Sequence, residues 1–108
     1  MNSPQDSEKD SLTLRVLGDL LSTNAEALQS EFARLLEAAD VSSRKWGIFR
    51  LDLTGAKMVD SVGLNLVVTL LKRVQKRGAR MQIAYSNANV SRTFSFTRLD
   101  RHVELVKA

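Results

Sequence analysis

The chain has 108 residues, 44% hydrophobic and 26% charged, which suits one globular domain with a single two-layer core and leaves no room for a second functional domain. It has no cysteine and one histidine, His102, which excludes disulfides, a thiolate nucleophile and a Cys/His zinc site. The net charge of +4 is uneven, with nine Lys/Arg against two Asp/Glu in residues 72–108; this half could face an anionic partner or simply be a solvated surface, but without interleaved aromatics it is not expected to bind nucleic acid.

Residues 1–10 are polar, contain the only proline, Pro4, and read as a tail or weak edge strand, with the domain proper at 11–108. Leu12, Leu14 and Val16 alternate inward on a first strand, which Gly18 and Asp19 end. Thr23 and Glu26 have capping-box spacing ahead of a helix over roughly 24–39, whose inner face carries Leu28, Phe32, Leu35, Leu36 and Ala39. After a polar connection, Trp46 to Leu53 is the most apolar strand and a candidate for the sheet centre. A helix follows Gly63, with Leu64, Val67, Val68, Leu70, Leu71 and Val74 on one face and Gly78 as a left-handed C-cap. Arg80 to Tyr85 is a further strand, and a last helix from Asn87 turns Val90 and Phe94 inward. His102 to Val106 closes as an edge strand. Strands alternating with three main helices predict an α/β domain with a mixed, mostly parallel sheet of four to five strands. No apolar run approaches about 18 residues, and no charged-then-apolar leader opens the chain, so the expected setting is the cytoplasm without direct membrane insertion.

The stretch from Asp52 to Leu64 concentrates the functional signal. It leaves the central strand, crosses a short turn and presents Asp60 and Ser61 where the apolar helix starts. Unpaired N–H groups there favour negative charge, so Ser61 reads as a helix cap, a phosphate acceptor, or both. Val62 and Leu66 fall at the edge of the helix's buried face, which leaves two readings: packing beneath a neighbouring loop, or an exposed apolar anchor for a partner. Asp52 and Asp60 without a third ligand make a weak divalent-cation signal, no glycine loop cradles phosphate, and no base or Gly-x-Ser-x-Gly elbow activates Ser61. Neither cofactor, metal nor catalysis is expected.

Asp52-Leu-Thr, then Met58-Val-Asp60-Ser61-Val62-Gly63-Leu64, the apolar helix and Gly78 together resemble the STAS domain (sulfate transporter and anti-sigma factor antagonist) from about Leu12 to the end. The resemblance implies a docking module, in which an unphosphorylated antagonist binds an anti-sigma factor. That factor, often a serine kinase, phosphorylates the serine after the motif aspartate, here Ser61, and a phosphatase restores the active form. The implied switch surface comprises Asp60, Val62, Gly63, Leu64 and Leu66, with Leu21 and Asp52 beside it. Three residues depart from the pattern. Leu21 stands where many antagonists have aspartate, Val62 where a small residue is common, and Arg98 where a glycine often makes a sharp turn. A rival within the resemblance is a subunit that binds the ATPase of a lipid-trafficking ABC transporter. Short sheet edges also leave a homodimer open.

Overall fold

The structure, a computed structural model, describes residues 11–42 and 45–108; the expected tail or edge strand at 1–10 lies outside the described residues. In chain order the elements are β1 (Ser11–Arg15), α1 (Ser22–Val41), β2 (Ile48–Leu53), α2 (Ser61–Lys76), β3 (Arg80–Tyr85), α3 (Ala88–Phe96), a 3-10 turn (Leu99–Arg101) and β4 (Glu104–Lys107). The described strands form one sheet in the order β1-β2-β3-β4, and every pairing is parallel. No antiparallel strand joins it among the described residues.

A sheet whose strands follow one another in chain order, linked by right-handed crossovers, carries all its crossover helices on one face. Burial follows this rule. Leu12, Leu14, Phe49, Leu51, Leu53, Met81 and Ile83 are buried towards the helices, whereas Thr13, Arg15 and Arg50 on the opposite face are exposed. That open face is held by polar contacts along the register Arg50, Gln82 and Glu104. Arg50 donates to Gln82 Oε1 at 3.0 and 3.2 Å, and Gln82 Nε2 donates to Glu104 Oε2 at 3.2 Å.

The helices bury Phe32, Leu36, Val67, Leu70, Val74, Val90 and Phe94, the apolar stripes expected from their spacing. Phe32 of α1 meets Phe49 of β2 edge to face at 4.9 Å, and Arg77 clamps α2 to Asp40 of α1 at 2.7 and 2.9 Å. Helix α1 is longer than the expected 24–39, and its entry uses another cap. Asn24 Oδ1 accepts the Leu21 N–H at 2.9 Å, and Asn24 Nδ2 donates to the Asp19 carbonyl at 2.8 Å, in place of a Thr23–Glu26 box. Trp46 precedes β2 and packs half-buried on the core, and exposed His102 precedes β4.

Leu66 corrects an expectation. It is only 6% exposed, because α1 packs alongside α2 and covers the edge of the helical wheel that the isolated helix would show to water. The sharp turn after α3 survives the loss of glycine: Arg98 adopts φ 61°, ψ 15° and is the one non-glycine residue with positive φ among the described residues. Gly78, as expected, is left-handed at φ 74°. An L-residue held in this region costs about 1–2 kcal/mol, of which the greater unfolded-state entropy of glycine would offset about 0.4–1. Arg98→Gly is therefore expected to raise the unfolding free energy by about 0.5–1 kcal/mol, measured by denaturant titration.

Candidate functional site

The loops after β1 and β2 are tied together at the C-terminal end of the sheet, and this tie positions Ser61. Leu20 and Val59 form a parallel bridge beyond the named strands. The Leu20 N–H donates to the Met58 carbonyl and the Asp60 N–H to the Leu20 carbonyl, both at 3.1 Å. Asp19 Oδ1 accepts from the Lys57 and Met58 amides at 2.7 and 3.2 Å. Asp19 thus ties the two loops, and half-buried Leu21, two residues on, turns into α1.

Asp60 is the N-cap of α2, in extended conformation at φ −84°, ψ 179°. Its Oδ1 accepts the Gly63 N–H at 2.8 Å, and its Oδ2 accepts the Ser22 N–H, also at 2.8 Å. Since Ser22 opens α1 and Gly63 lies in the first turn of α2, one carboxylate caps two helices. The Gly63 amide, followed by that of Ser22, holds the Asp60 carboxyl below its ordinary value, so the group stays ionised at neutral pH. Gly63 itself is required by proximity. A Cβ there would lie 2.5 Å from the Leu20 carbonyl oxygen and 2.8 Å from Leu20 Cγ. Overpacking of about 1–3 kcal/mol would exceed the gain of about 1 kcal/mol in helix propensity on going from glycine to alanine.

Because Asp60 does the capping, Ser61 is released from it. Ser61 occupies the first helical position and is exposed, and no described hydrogen bond engages its hydroxyl. Of the two readings of this serine, helix cap is therefore corrected. Val62 beside it is 45% exposed and Met58, on the preceding turn, 55%, while Leu64 is half-buried against the core. Leu66 contributes only to the wall of a hollow of about 340 Å³ between α1 and α2, which Ser22, Glu26, Val62 and Asn65 also line. The apolar neighbours of Ser61 are thus Met58 and Val62 rather than Val62 and Leu66. Met58 stands in the sequence motif but not in the expected switch surface, because it belongs to no periodic segment; an apolar residue directly after the turn at 54–57 is the available signal.

Asp52 has a different task from the one expected. It accepts from the Thr54 hydroxyl at 2.7 Å and the Thr54 amide at 3.0 Å, and pairs with Arg15 at 3.3 Å. Burial works against its ionisation, yet the Thr54 and Arg15 bonds outweigh it and hold the carboxyl below its ordinary value. Its register neighbours are Arg15 and Ala84 on the sheet face away from the helices, so from within β2 it braces the turn that follows and shares no hydrogen-bond partner with Asp60. No group of three or more His, Asp or Glu side chains is placed to hold a metal among the described residues, and no described helix is long and apolar enough to cross a membrane.

A serine freed by its neighbour's cap, above a glycine that lets the helix touch the preceding loop, is the local form of an Asp-Ser-x-Gly motif. A model of the STAS domain matches residues 3–108. The chain belongs to the STAS domain family. Solved STAS-type structures share its fold. A Thermotoga maritima protein provisionally assigned as an anti-sigma factor antagonist superposes with a TM-score of 0.72 at 24% identity, over 92% of this chain and 80% of that one. A sulfate transporter family protein from Wolinella succinogenes gives 0.70 at 13% identity, over 90% and 76%. The anti-sigma factor antagonist SpoIIAA in its unphosphorylated form gives 0.66 at 14%, over 93% and 82%; the Bacillus protein in its phosphorylated form gives 0.65 at 15%, over 93% and 84%. The fold that carries Asp60, Ser61 and Gly63 is therefore a shared one.

The double cap sets an acid dependence. A carboxyl with a lowered folded value contributes stability that is fully present above the ordinary aspartate value of 3.8 and is lost as pH falls through the folded value. Asp60→Asn keeps an acceptor for Gly63 but turns a donor towards Ser22. It is expected to lower the melting temperature at pH 7 and to flatten the fall in stability below pH about 4, as read from melts across a pH series.

Proposed function

We propose that this protein is a cytoplasmic bacterial anti-sigma factor antagonist that works by partner switching. Unphosphorylated, it docks an anti-sigma factor with serine-kinase activity over Ser61, Met58 and Val62; phosphorylation of Ser61 releases it, and a phosphatase resets it. The observation that carries this reading is the free, exposed Ser61 hydroxyl beside an aspartate that already caps the helix. A kinase can reach that oxygen without dismantling the fold. The existence of SpoIIAA in phosphorylated and unphosphorylated forms supports the same chemistry here.

The size of the effects says how such a switch would act. A phosphate adds about −1.5 to −2 charge and three strong acceptors. The helix terminus favours it by about 0.3–1 kcal/mol, too little to drive refolding, and ionised Asp60 opposes it. The change is therefore one of surface. A partner packed on Val62 and Met58 meets a bulky dianion that it must desolvate, and a few kcal/mol of penalty shifts affinity by orders of magnitude. The sheet also favours docking over catalysis. Ligand crevices in open parallel sheets form where the strand order reverses, and the order β1-β2-β3-β4 runs without reversal.

The test is binding to the cognate anti-sigma factor with and without ATP, read by calorimetry and intact mass. Native protein and Ser61→Ala should bind, and only the native protein should gain one phosphate and dissociate. Ser61→Asp should bind at least about tenfold more weakly. Equal affinity of Ser61→Asp and native protein would refute the switch. Recovery of an ABC-transporter ATPase as the stable partner, with no sigma regulator, would favour the transporter-subunit reading instead. Val62→Ser and Met58→Ser should weaken docking while leaving the melting temperature nearly unchanged. Leu66→Ala should instead cost about 2–5 kcal/mol of stability, because Leu66 is buried.

A further inference from the structure

The arginines of this chain divide by position. Those before residue 78 that the structure describes are engaged: Arg15 with Asp52, Arg34 with Glu31 and Arg77 with Asp40 as ion pairs, Arg50 on Gln82, and Arg73 over the Phe32 ring at 5.6 Å. Arg80, Arg92, Arg98 and Arg101 are all exposed, and none makes an ion pair or a side-chain hydrogen bond with another described residue. In the same segment lies Phe96, 81% exposed and one turn from Arg92 on α3, so the two side chains share a face.

This segment occupies the end of the domain opposite Ser61. Ser61 follows the C-terminal end of β2, whereas Arg80 opens β3, and Phe96 to His102 lead into the start of β4. Between these chain segments lies a hollow of about 280 Å³, with Arg80, Arg101 and His102 beside apolar Leu71, Met81 and Val103. The nearby acids are Asp100 and Glu104, and Glu104 accepts from Gln82, so the local charge stays positive. Arginine and aromatic residues are the types that dominate protein interface hot spots, and lysine is depleted there; the only basic side chains from Arg80 to Arg101 are arginines. A concave seat lined by guanidiniums and apolar side chains suits a protein side chain better than a flat bilayer surface. A single exposed ring offers no stacking platform for nucleic acid.

We propose that Arg80, Arg92, Phe96 and Arg101 form a second docking surface, separate from the Ser61 end, for an acidic protein segment that also carries apolar side chains. Carboxylates of the segment pair with guanidiniums that have no ion-pair or side-chain hydrogen-bond partner among the described residues, and an apolar side chain enters the hollow. The probe is a synthetic peptide of alternating Glu and Leu, titrated into isotope-labelled protein while amide shifts are followed by NMR. Phosphatidylglycerol vesicles and a single-stranded oligonucleotide are run at the same salt.

The expected result is saturable shifts at Arg80 and across 92–104 with none at Ser61. Arg92→Glu/Arg101→Glu and Phe96→Ser should each weaken the peptide at least about tenfold, and Ser61→Asp should bind it as the native protein does. Arg98 is left unchanged because its left-handed turn would confuse folding with binding. Should the charge reversal disturb the melting curve, Arg92→Gln/Arg101→Gln serves in its place. Absence of saturation at millimolar peptide, shifts elsewhere, or unchanged affinity in the folded variants would overturn the proposal. So would tighter binding of vesicles or oligonucleotide through the same residues.

Discussion

The carboxylate of Asp60 holds the amides of Ser22 and Gly63 at 2.8 Å each, and much of the functional end of this domain depends on that pair of bonds. The first amides of a helix have no partner within it, and each end must find acceptors. Here two helices meet at one acceptor residue. The arrangement fixes α1 and α2 relative to each other at their N-terminal ends, as Arg77 and Asp40 do near their C-terminal ends. It also leaves the neighbouring hydroxyl without a structural duty.

Gly63 and the loop tie make this geometry attainable. The Leu20 carbonyl accepts from Asp60 and stands where a Cβ on Gly63 would have to go, so the start of α2 can approach the β1–α1 loop only without a side chain. The Asp-Ser-x-Gly spacing is then a mechanical unit: the aspartate bonds across, the glycine permits contact, and the serine and the residue after it are turned outward. A dianion added at Ser61 would be set beside a carboxylate that cannot leave without releasing two helix ends. Under the proposed switch, the response to modification would be confined to the surface.

The sheet separates the two ends of the molecule. Unidirectional strand order collects the β-to-α loops, and Ser61 with them, at one end, while Arg80 at the start of β3, Phe96 at the end of α3 and Arg101 before β4 lie towards the other, the arginines without an ion-pair or side-chain hydrogen-bond partner among the described residues. Both ends are proposed contact surfaces, with different character. Around Ser61 the exposed side chains include Met58 and Val62; the segment around Arg101 carries exposed arginines, which outnumber Asp100 and Glu104, and exposed Phe96. The open sheet face between them is held by Arg50, Gln82 and Glu104 and by Arg15 with Asp52, polar groups that satisfy one another.

By itself the sequence determined the alternation of strands and helices, the central place of β2, the inward faces of each element and the position of Ser61 at the head of α2, because these follow from hydrophobic period and local turn chemistry. It could not decide matters that depend on which element lies beside which. Leu66 sits at the edge of an isolated helical wheel, and only the packing of α1 on α2 buries it. Asp52 and Asp60 read as a pair of acids near one turn, and only sheet register sends the first to Arg15 while a helix crossing brings the second to Ser22. Arg98 lacks the residue type that a left-handed turn prefers, yet the surrounding α3 and β4 hold it at φ 61°. Period is written in the order of side chains along one segment, whereas these outcomes are set by neighbours distant in the chain.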